Sequence, residues 1–329
     1  MAKAPGKNHR KGISMIKLTR MFPDDESARK WIESIRWPEG PKCPYCRSEN
    51  VQHPVKHKTM THRCRNCRKW FSVRTGTVMQ NSRLGLQIWV FASYLMSTSL
   101  KGEASMKLHR NLEITQKTAW HLAHRLRETW GDKNVSPFGG PVEADESYFG
   151  GRRANKSNAE RRALKEAGVG RGAVGKTAVA GVKDRDTNKI VAKVVHDTTA
   201  KTLQGFVEEH TQEGTQVYTD DAAAYVGIDR PHETVRHSVS EYVRDMAHTN
   251  GMESYWAMMK RAHDGTYHKM SPKHLQRYVN EFSGRHNVRE QDTLDQMRGM
   301  IANMQGRFLP YRNLKKDNGL SSGARSKRG

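Results

Sequence analysis

The sequence predicts a multidomain protein in which a small β ribbon and a helical region precede a mixed α/β domain. Three observations support this prediction. Two C-x-x-C pairs are separated by residues 47–63, apolar residues recur at helical spacing between residues 86 and 130, and strand-like alternation begins at Pro141. A chain of 329 residues, of which 35% are hydrophobic, can bury the cores of two or three such domains.

The chain is strongly basic, because Lys and Arg exceed Asp and Glu by 57 − 34 = 23. An excess of this size indicates a polyanionic partner, with nucleic acid as the prediction and merely solubilising charge as the alternative. Residues 1–20 carry six Lys or Arg and no acid, which predicts a basic DNA-contacting arm, with an organelle transit peptide as the alternative. No apolar run approaches the roughly 20 residues that span a bilayer, so no membrane partner is expected.

Residues 21–80 are predicted to form a short helix, capped by Asp24 or Asp25, followed by a zinc ribbon. Two C-x-x-C knuckles joined by a hairpin match the ligand spacing of a structural Zn²⁺ site, in which four thiolates leave no open position. Two disulfides or a redox-active pair are the alternatives. The predicted zinc ligands are Cys43, Cys46, Cys64 and Cys67. Since four sulfurs complete the shell, three nearby histidines are expected to be spare: His53, His57 and His62.

Residues 84–132 are predicted to be helical, with a helix-turn-helix pattern. A helix is expected at 86–96, and two further helices cross residues 102–130 with a break at 112–115. The last helix buries one apolar face, and its basic face is expected to be exposed and able to enter a DNA major groove. A helical spacer with a solvated basic face is the alternative. The predicted DNA contacts are Lys117, His121, His124 and Arg125, and Arg127 lies on the same face.

Residues 140–265 are predicted to form an α/β domain, preceded by a linker at 134–141. The order of three strands, a helix, a strand and a helix is that of an RNase H-like fold. A basic insertion bounded by glycines is expected at 150–172. The strands are predicted at 142–150, 173–182, 190–195, 216–219 and near 235, and the helices at 199–209 and 249–263.

Three carboxylates are expected to meet at one edge of this sheet. Asp145 lies on the first strand, Asp220 ends the fourth, and Glu253 lies in the first turns of the last helix. Oxygen ligands at this density suit Mg²⁺ or Mn²⁺, and two such ions about 3.5–4 Å apart can hold the attacking and leaving oxygens of a phosphoryl displacement. Lys260 lies on the helix face of Glu253 and is expected to meet a phosphate. Solvated surface charges are the alternative for each residue taken alone.

Two segments follow this domain. Residues 266–306 are predicted to form a helical extension with a basic surface. Residues 307–329 carry seven Lys or Arg against one acid, together with Gly and Ser, and are predicted to be a disordered basic tail.

At these residues the chain resembles the DDE transposases of bacterial insertion sequences, of the ISXO2-like type. The resemblance covers nearly the whole chain, and its motifs are specific as a set. They are the cysteines of 43–67, the helical region 102–127, EADESYFGG at 143–151, YTDDAAAY at 218–225, HTNGMESYW at 248–256 and QRYVNEF at 276–282.

The resemblance implies that Asp145 and Asp220 are the first two metal-binding acids of the DDE site. Glu253 is the preferred third ligand because a carboxylate binds metal more strongly, while Asn250 is the alternative that relatives use. Asp221 stands where the family pattern has glycine, which leaves the choice within the pair 220–221 open.

The predicted function is therefore that of a DNA transposase, which cleaves at transposon ends and transfers the strands into target DNA with a divalent metal. Its predicted partners are double-stranded DNA and at least one further copy of itself, because two transposon ends must be handled together. The implied location is the bacterial cytoplasm, in association with the nucleoid, and the few paired cysteines suit this reducing compartment. The alternatives are a non-catalytic DNA-binding regulator derived from a transposase and a simple RNase H-like nuclease.

Overall fold

A computed structural model describes residues 10–57, 59–131, 136–150, 157–166, 176–220, 223–235, 249–320 and 322. The helices are α1 (Met15–Met21), α2 (Asp25–Arg36), α3 (Leu86–Thr98), α4 (Ser105–Asn111), α5 (Gln116–Trp130), α6 (Asn158–Glu166), α7 (Ala200–His210), α8 (Asn250–Ala262), α9 (Pro272–Asn287), α10 (Thr293–Ala302) and α11 (Tyr311–Lys315). The strands are β1 (Val51–Gln52), β2 (His62–Cys64), β3 (Trp70–Phe71), β4 (Val142–Phe149), β5 (Thr177–Asp184), β6 (Ile190–Val195), β7 (Val217–Asp220) and β8 (His232–Val235).

The chain divides into two compact units. The first contains Met1–Trp130 and Val288–Lys316, and the second contains Gly131–Asn287 and Asp317–Gly329. The predicted extension at 266–306 is therefore divided between them, because α9 packs on the sheet of the second unit whereas α10 joins the core of the first. Apolar periodicity predicted both helices, but it does not specify the surface on which each helix packs.

The first unit is a helical core that carries a three-stranded antiparallel ribbon. Helix α2 begins at a capping box, in which the Asp24 carboxylate accepts from the Ser27 amide at 2.8 Å and the Asp24 amide donates to the Ser27 hydroxyl at 3.4 Å. Its buried Ala28 and Ile32 pack in one core with α3, α5 and α10. The ribbon has the order β1-β2-β3, with Val51 opposite Cys64 and His62 opposite Phe71.

Both predicted flexible ends contain ordered structure. The basic arm predicted at 1–20 includes α1, which buries Leu18 completely, while residues 1–9 lie outside the described residues. The tail predicted to be disordered at 307–329 includes α11, and its Leu309 and Leu314 are buried. The low hydrophobicity of these segments did not predict ordered structure. A few apolar side chains can nevertheless order a segment when they pack against a core that other elements have formed.

The second unit is a mixed five-stranded sheet of the order β6-β5-β4-β7-β8. Strand β5 is antiparallel to both β4 and β6, whereas β7 runs parallel to both β4 and β8. Side chains of α8 and α9 share a core with one face of the sheet, and side chains of α7 share a core with the other. Because both faces are covered, β5 is almost continuously buried.

Some expectations fall partly outside the described residues. Within the insertion predicted at 150–172, the described part contains α6. The fifth strand, expected near 235, is β8, and residues 236–248 are not described. Asp221 also lies outside the described residues, as do residues 134–135 of the predicted linker at 134–141.

Candidate functional site

The structure brings Asp145 and Asp220 together on neighbouring parallel strands. In the pairing of β4 with β7, Val142 lies opposite Val217 and Glu143 lies opposite Tyr218. The same register, continued by two residues along both strands, places Asp220 level with Asp145. The alternation of β4 directs Asp145 to the sheet face that packs against α8, as the hydrogen bond from Trp256 shows.

The pKa of Asp145 reflects the charge of Asp220. Burial, which is the largest cause, and the negative charges of Asp220 and Glu146 together raise the pKa of Asp145 to about 7. Two donors oppose this rise: the indole Nε1 of Trp256 donates to Oδ2 at 2.9 Å, and the amide of Glu146 donates to Oδ1 at 2.8 Å. Burial and the neighbouring negative charges both disfavour the ionised form of Asp145, and a bound cation would favour it.

Helix α8 supplies the remaining predicted site residues, and Asn250, Glu253 and Lys260 are all exposed on it. Among the described residues, the carboxylates of Asp145, Asp220 and Glu253 do not gather within 4.8 Å of one another. Two of the three predicted acids thus meet, and the third lies on the same helix as Trp256, one turn before it.

Sequence reasoning missed the function of Glu143, which is buried beneath the first turn of α8. Its Oε2 accepts a hydrogen bond from the amide of Met252 at 2.9 Å, and its Oε1 accepts from Nε of Arg185 at 3.1 Å. Glu143 therefore caps the helix that carries Glu253, and it does so from the strand that carries Asp145. The strand alternation already placed Glu143 and Asp145 on one face, which is the signal that could have revealed it.

Two glycines allow this close packing of α8 on the sheet. Gly181 lies opposite Asp145 on β5, and a Cβ there would stand 3.0 Å from the ring of Trp256 and would overlap the methyl group of Met252. A Cβ on Gly251 would stand 2.6 Å from Oε2 of Glu143. A Cβ at either position would displace the neighbouring side chains. Because both residues are glycines, α8 can approach β4 to within hydrogen-bond distance.

Glu146 points to the opposite sheet face, because successive side chains of a strand alternate between its two faces. Its Oε2 accepts a hydrogen bond from the hydroxyl of Tyr225 at 3.0 Å. Burial raises the pKa of Glu146, and the charge of Asp220 raises it further, while the tyrosine bond lowers it. Glu146 therefore adds negative electrostatic potential at the aspartate pair, although its side chain lies on the opposite face of the sheet.

The four cysteines form a second site, in the ribbon. All four sulfurs lie within 4.8 Å of one another, and the Cys43–Cys67 and Cys46–Cys64 pairs are each 3.6 Å apart. A disulfide requires about 2.05 Å, whereas two sulfurs on one tetrahedral Zn²⁺ lie roughly 3.8 Å apart when each Zn–S bond is about 2.3 Å. The donor set and spacing fit zinc, and all four predicted ligands are assembled. Metal binding would lower the pKa of the Cys43 thiol, which burial raises to about 12.

The predicted DNA-contacting face of α5 requires a correction. Lys117 is exposed, but His124, Arg125 and Arg127 are buried and His121 is half-buried. The carbonyl of Leu309 accepts from Nε of Arg125 at 3.1 Å and lies 2.9 Å from Nε2 of His121. The C-terminal segment therefore covers part of this face, which helical periodicity alone could not predict.

The structure contains no helix, within the described ranges, that is long and apolar enough to cross a membrane.

The two aspartate-bearing strands and the four-thiolate ribbon lie within two segments that match known protein families. Residues 137–287 match the ISXO2-like transposase domain, and residues 23–70 match the transposase zinc-ribbon domain. These two domains together span more than half of the chain, which belongs to the ISXO2-like transposase family.

A curated relative agrees with this assignment. The uncharacterized protein in transposable element ISH50 of Halobacterium salinarum is 28% identical over 254 residues, which cover 74% of this chain and 84% of that protein. The match is longer than either domain alone.

Proposed function

We propose that this protein is an active DNA transposase, which cleaves DNA at transposon ends and joins the freed ends to target DNA. The observation that carries the proposal is the alignment of Asp145 with Asp220 on adjacent parallel strands. A regulator without catalytic activity would gain nothing from a half-buried pair of like charges, whose repulsion destabilises the fold.

The sheet order supports an RNase H-like catalytic domain. Its first three strands form an antiparallel series, and the fourth and fifth lie in parallel on the other side of the first strand. This order places the first and fourth strands side by side. Asp145 and Asp220, which are remote in sequence, become neighbours for this reason.

The aspartate pair fits Mg²⁺ or Mn²⁺, because these hard cations prefer carboxylate oxygen. Asp145 and Asp220 would hold the metal, with Glu253 or Asn250 as the third protein ligand. When bound, two such ions would activate the attacking water or 3′-hydroxyl and stabilise the leaving oxygen. The raised pKa of Asp145 means that a metal ion and a proton compete for its carboxylate.

The other residues of the site would position these groups. Trp256 holds one oxygen of Asp145, which fixes the rotation of the carboxylate. Glu143 anchors the first turn of α8, and so fixes the helix that presents Glu253 and the exposed Lys260. We propose that Lys260 contacts a DNA phosphate, since its ammonium group is solvent-accessible on that helix.

The proposed partners are double-stranded DNA and a second copy of the chain. The net charge of +23 supports binding to the phosphate backbone, and exposed Lys117 remains a candidate contact. Two transposon ends require at least two active sites if each copy processes one end, so we propose a dimer or larger assembly.

The deciding experiment measures Mg²⁺-dependent cleavage of DNA that carries the ends of the protein's own element. We expect Asp145→Asn and Asp220→Asn each to reduce cleavage by at least about 1,000-fold while leaving DNA binding intact. The control is Glu213→Gln, which removes an exposed acid from the same unit and should leave cleavage unchanged.

The alternatives give different results. Wild-type protein that binds the ends but never cleaves them would identify a regulator, and cleavage that survives both aspartate substitutions would overturn the proposed site. Strand transfer from precut ends distinguishes a transposase from a simple nuclease, because only the transposase uses a DNA 3′-hydroxyl as the nucleophile.

A further inference from the structure

A second cluster of metal-binding side chains lies where the ribbon meets α2. One nitrogen each from His53 and His62 and one carboxylate oxygen of Glu33 all lie within 4.8 Å of one another. His62 is buried, Glu33 is half-buried and His53 is exposed, so the cluster lies at the surface with one solvent-facing side. None of these residues belongs to the four-cysteine site.

Thr61 orients both imidazole rings. Its backbone carbonyl lies 3.2 Å from Nδ1 of His53, and its hydroxyl lies 2.8 Å from Nδ1 of His62. A carbonyl only accepts, so Nδ1 of His53 must carry the proton and Nε2 must present its lone pair. The hydroxyl can accept from His62 in the same way. A metal-binding histidine typically has this arrangement, in which its second nitrogen is fixed by a hydrogen bond.

The spacing of the rings is compatible with a shared ion. They lie nearly parallel, with centroids 3.9 Å apart. Two imidazole nitrogens on one tetrahedral Zn²⁺, each about 2.05 Å from the metal, lie roughly 3.3 Å apart. The two ligand nitrogens lie within 4.8 Å of each other. Because the lone pairs of stacked rings lie in parallel planes, the exposed His53 ring must tilt to direct its lone pair at the same ion as His62.

Glu33 supplies the negative charge of the cluster. Nη1 of Arg29 donates to both oxygens of Glu33, at 2.8 and 2.7 Å. A carboxylate has about four lone-pair positions, so the arginine leaves acceptor capacity on each oxygen. Because Arg29 offsets part of the carboxylate charge, the cluster favours a cation that binds strongly to imidazole nitrogen, such as Zn²⁺, over Mg²⁺ or Ca²⁺.

We propose that Glu33, His53 and His62 form a second zinc site, which links α2 to the ribbon hairpin. Two histidines and one glutamate occupy three positions of a tetrahedral ion and leave the fourth to water. The four-cysteine site would hold the ribbon together, while this second ion would fasten the ribbon to α2. It would also account for two of the three histidines that the cysteine site leaves unused.

Zinc content of the full-length protein tests this proposal. The protein is equilibrated with Zn²⁺, freed of excess by gel filtration, and assayed for zinc and protein. We expect two zinc ions per chain in the wild type and one in each of His53→Ala and Glu33→Gln. The control is His57→Ala, which removes a neighbouring exposed histidine outside the cluster and should retain two ions.

Cobalt substitution distinguishes the two sites by their ligands. The first equivalent of Co²⁺ should produce the intense thiolate charge-transfer absorption of the cysteine site. The second should add only weak visible bands, which His53→Ala should abolish without altering the thiolate absorption. One zinc ion in the wild type, or two ions retained by both cluster variants, would overturn the proposal.

Discussion

The ionised carboxylate of Asp145 destabilises the metal-free folded protein, and a bound metal ion would remove this destabilisation. Asp145 is half-buried, lies level with Asp220 on the neighbouring strand and has a pKa raised to about 7. Above that pH the charged form is held in unfavourable surroundings, for which the hydrogen bonds from Trp256 and from the amide of Glu146 compensate in part. Such a group contributes to function at the expense of the stability of the metal-free protein.

The pH dependence of stability follows from this shift. The folded protein holds the Asp145 proton more tightly than the unfolded chain, whose pKa is near 3.8. The free energy of unfolding therefore falls as the pH rises from about 4 to about 7, and the penalty is complete above pH 7. We expect Asp145→Asn to stabilise the magnesium-free protein by about 4 kcal/mol at pH 8, and by well under about 1 kcal/mol near pH 4.

Urea unfolding at pH 5 and pH 8 measures this difference, in magnesium-free buffer that contains no chelator, so that zinc is retained. Adding Mg²⁺ at pH 8 should stabilise the wild type but not Asp145→Asn. Equal stability of the two proteins at both pH values would show that the carboxylate is not destabilised by its surroundings.

At the scale of elements, the contact between β4 and α8 determines the geometry of the candidate site. Glu143 bridges the amide of Met252 and the guanidinium of Arg185, and all three lie in the second unit. The same strand carries Asp145 two residues later. A movement of α8 would therefore alter the distance from Glu253 to the aspartate pair and would weaken the bond from Trp256 to Asp145.

We expect Glu143→Ala to destabilise the second unit by about 3 kcal/mol, because it leaves Arg185 without its buried partner and the helix amide without its cap. Cleavage should fall as well, whereas Glu143→Gln should recover part of it, since the amide oxygen can still accept from Met252. Chemical denaturation and the cleavage assay measure the two effects.

Glu209→Ala is the matched control for this substitution. Glu209 pairs with Lys193 at 3.4 Å in the same unit, and both side chains are more than half exposed. Surface pairs of this kind contribute at most about 1 kcal/mol. A Glu143→Ala protein as stable and as active as Glu209→Ala would show that the cap does not position α8.

At the scale of the whole molecule, the sheet of the second unit and the ribbon of the first unit are stabilised by different interactions. The sheet of the second unit is covered on both faces by apolar cores. The ribbon of the first unit buries only a small cluster around Phe71 and two of the cysteines, Cys43 and Cys64. A cluster of this size cannot offset the entropy of ordering the ribbon, so metal binding must supply much of its folding free energy.

We expect a strong zinc chelator to unfold the ribbon while the sheet of the second unit remains folded. Limited proteolysis should then cut between Cys43 and Phe71, and the fragment that contains β4 to α9 should stay protected. Readdition of Zn²⁺ should restore protection of the ribbon. Simultaneous digestion of both units would contradict this expectation.

The sequence by itself determined the features that depend on local pattern. The spacing of the cysteine pairs predicted the four-sulfur site, alternation placed Asp145 and Glu146 on opposite faces, and the break at 112–115 separates α4 from α5. These features could be predicted because residues close in sequence specify them through turn geometry and periodicity.

Only the tertiary structure decided which distant groups meet. It buried His124 and Arg125, which periodicity had assigned to an exposed face, and it placed Glu143 beneath α8. It also gathered Glu33 with two histidines and aligned Asp145 with Asp220. Burial and pairing of this kind arise where separate elements pack against each other, and a local sequence pattern contains no information about the surface on which its element will dock.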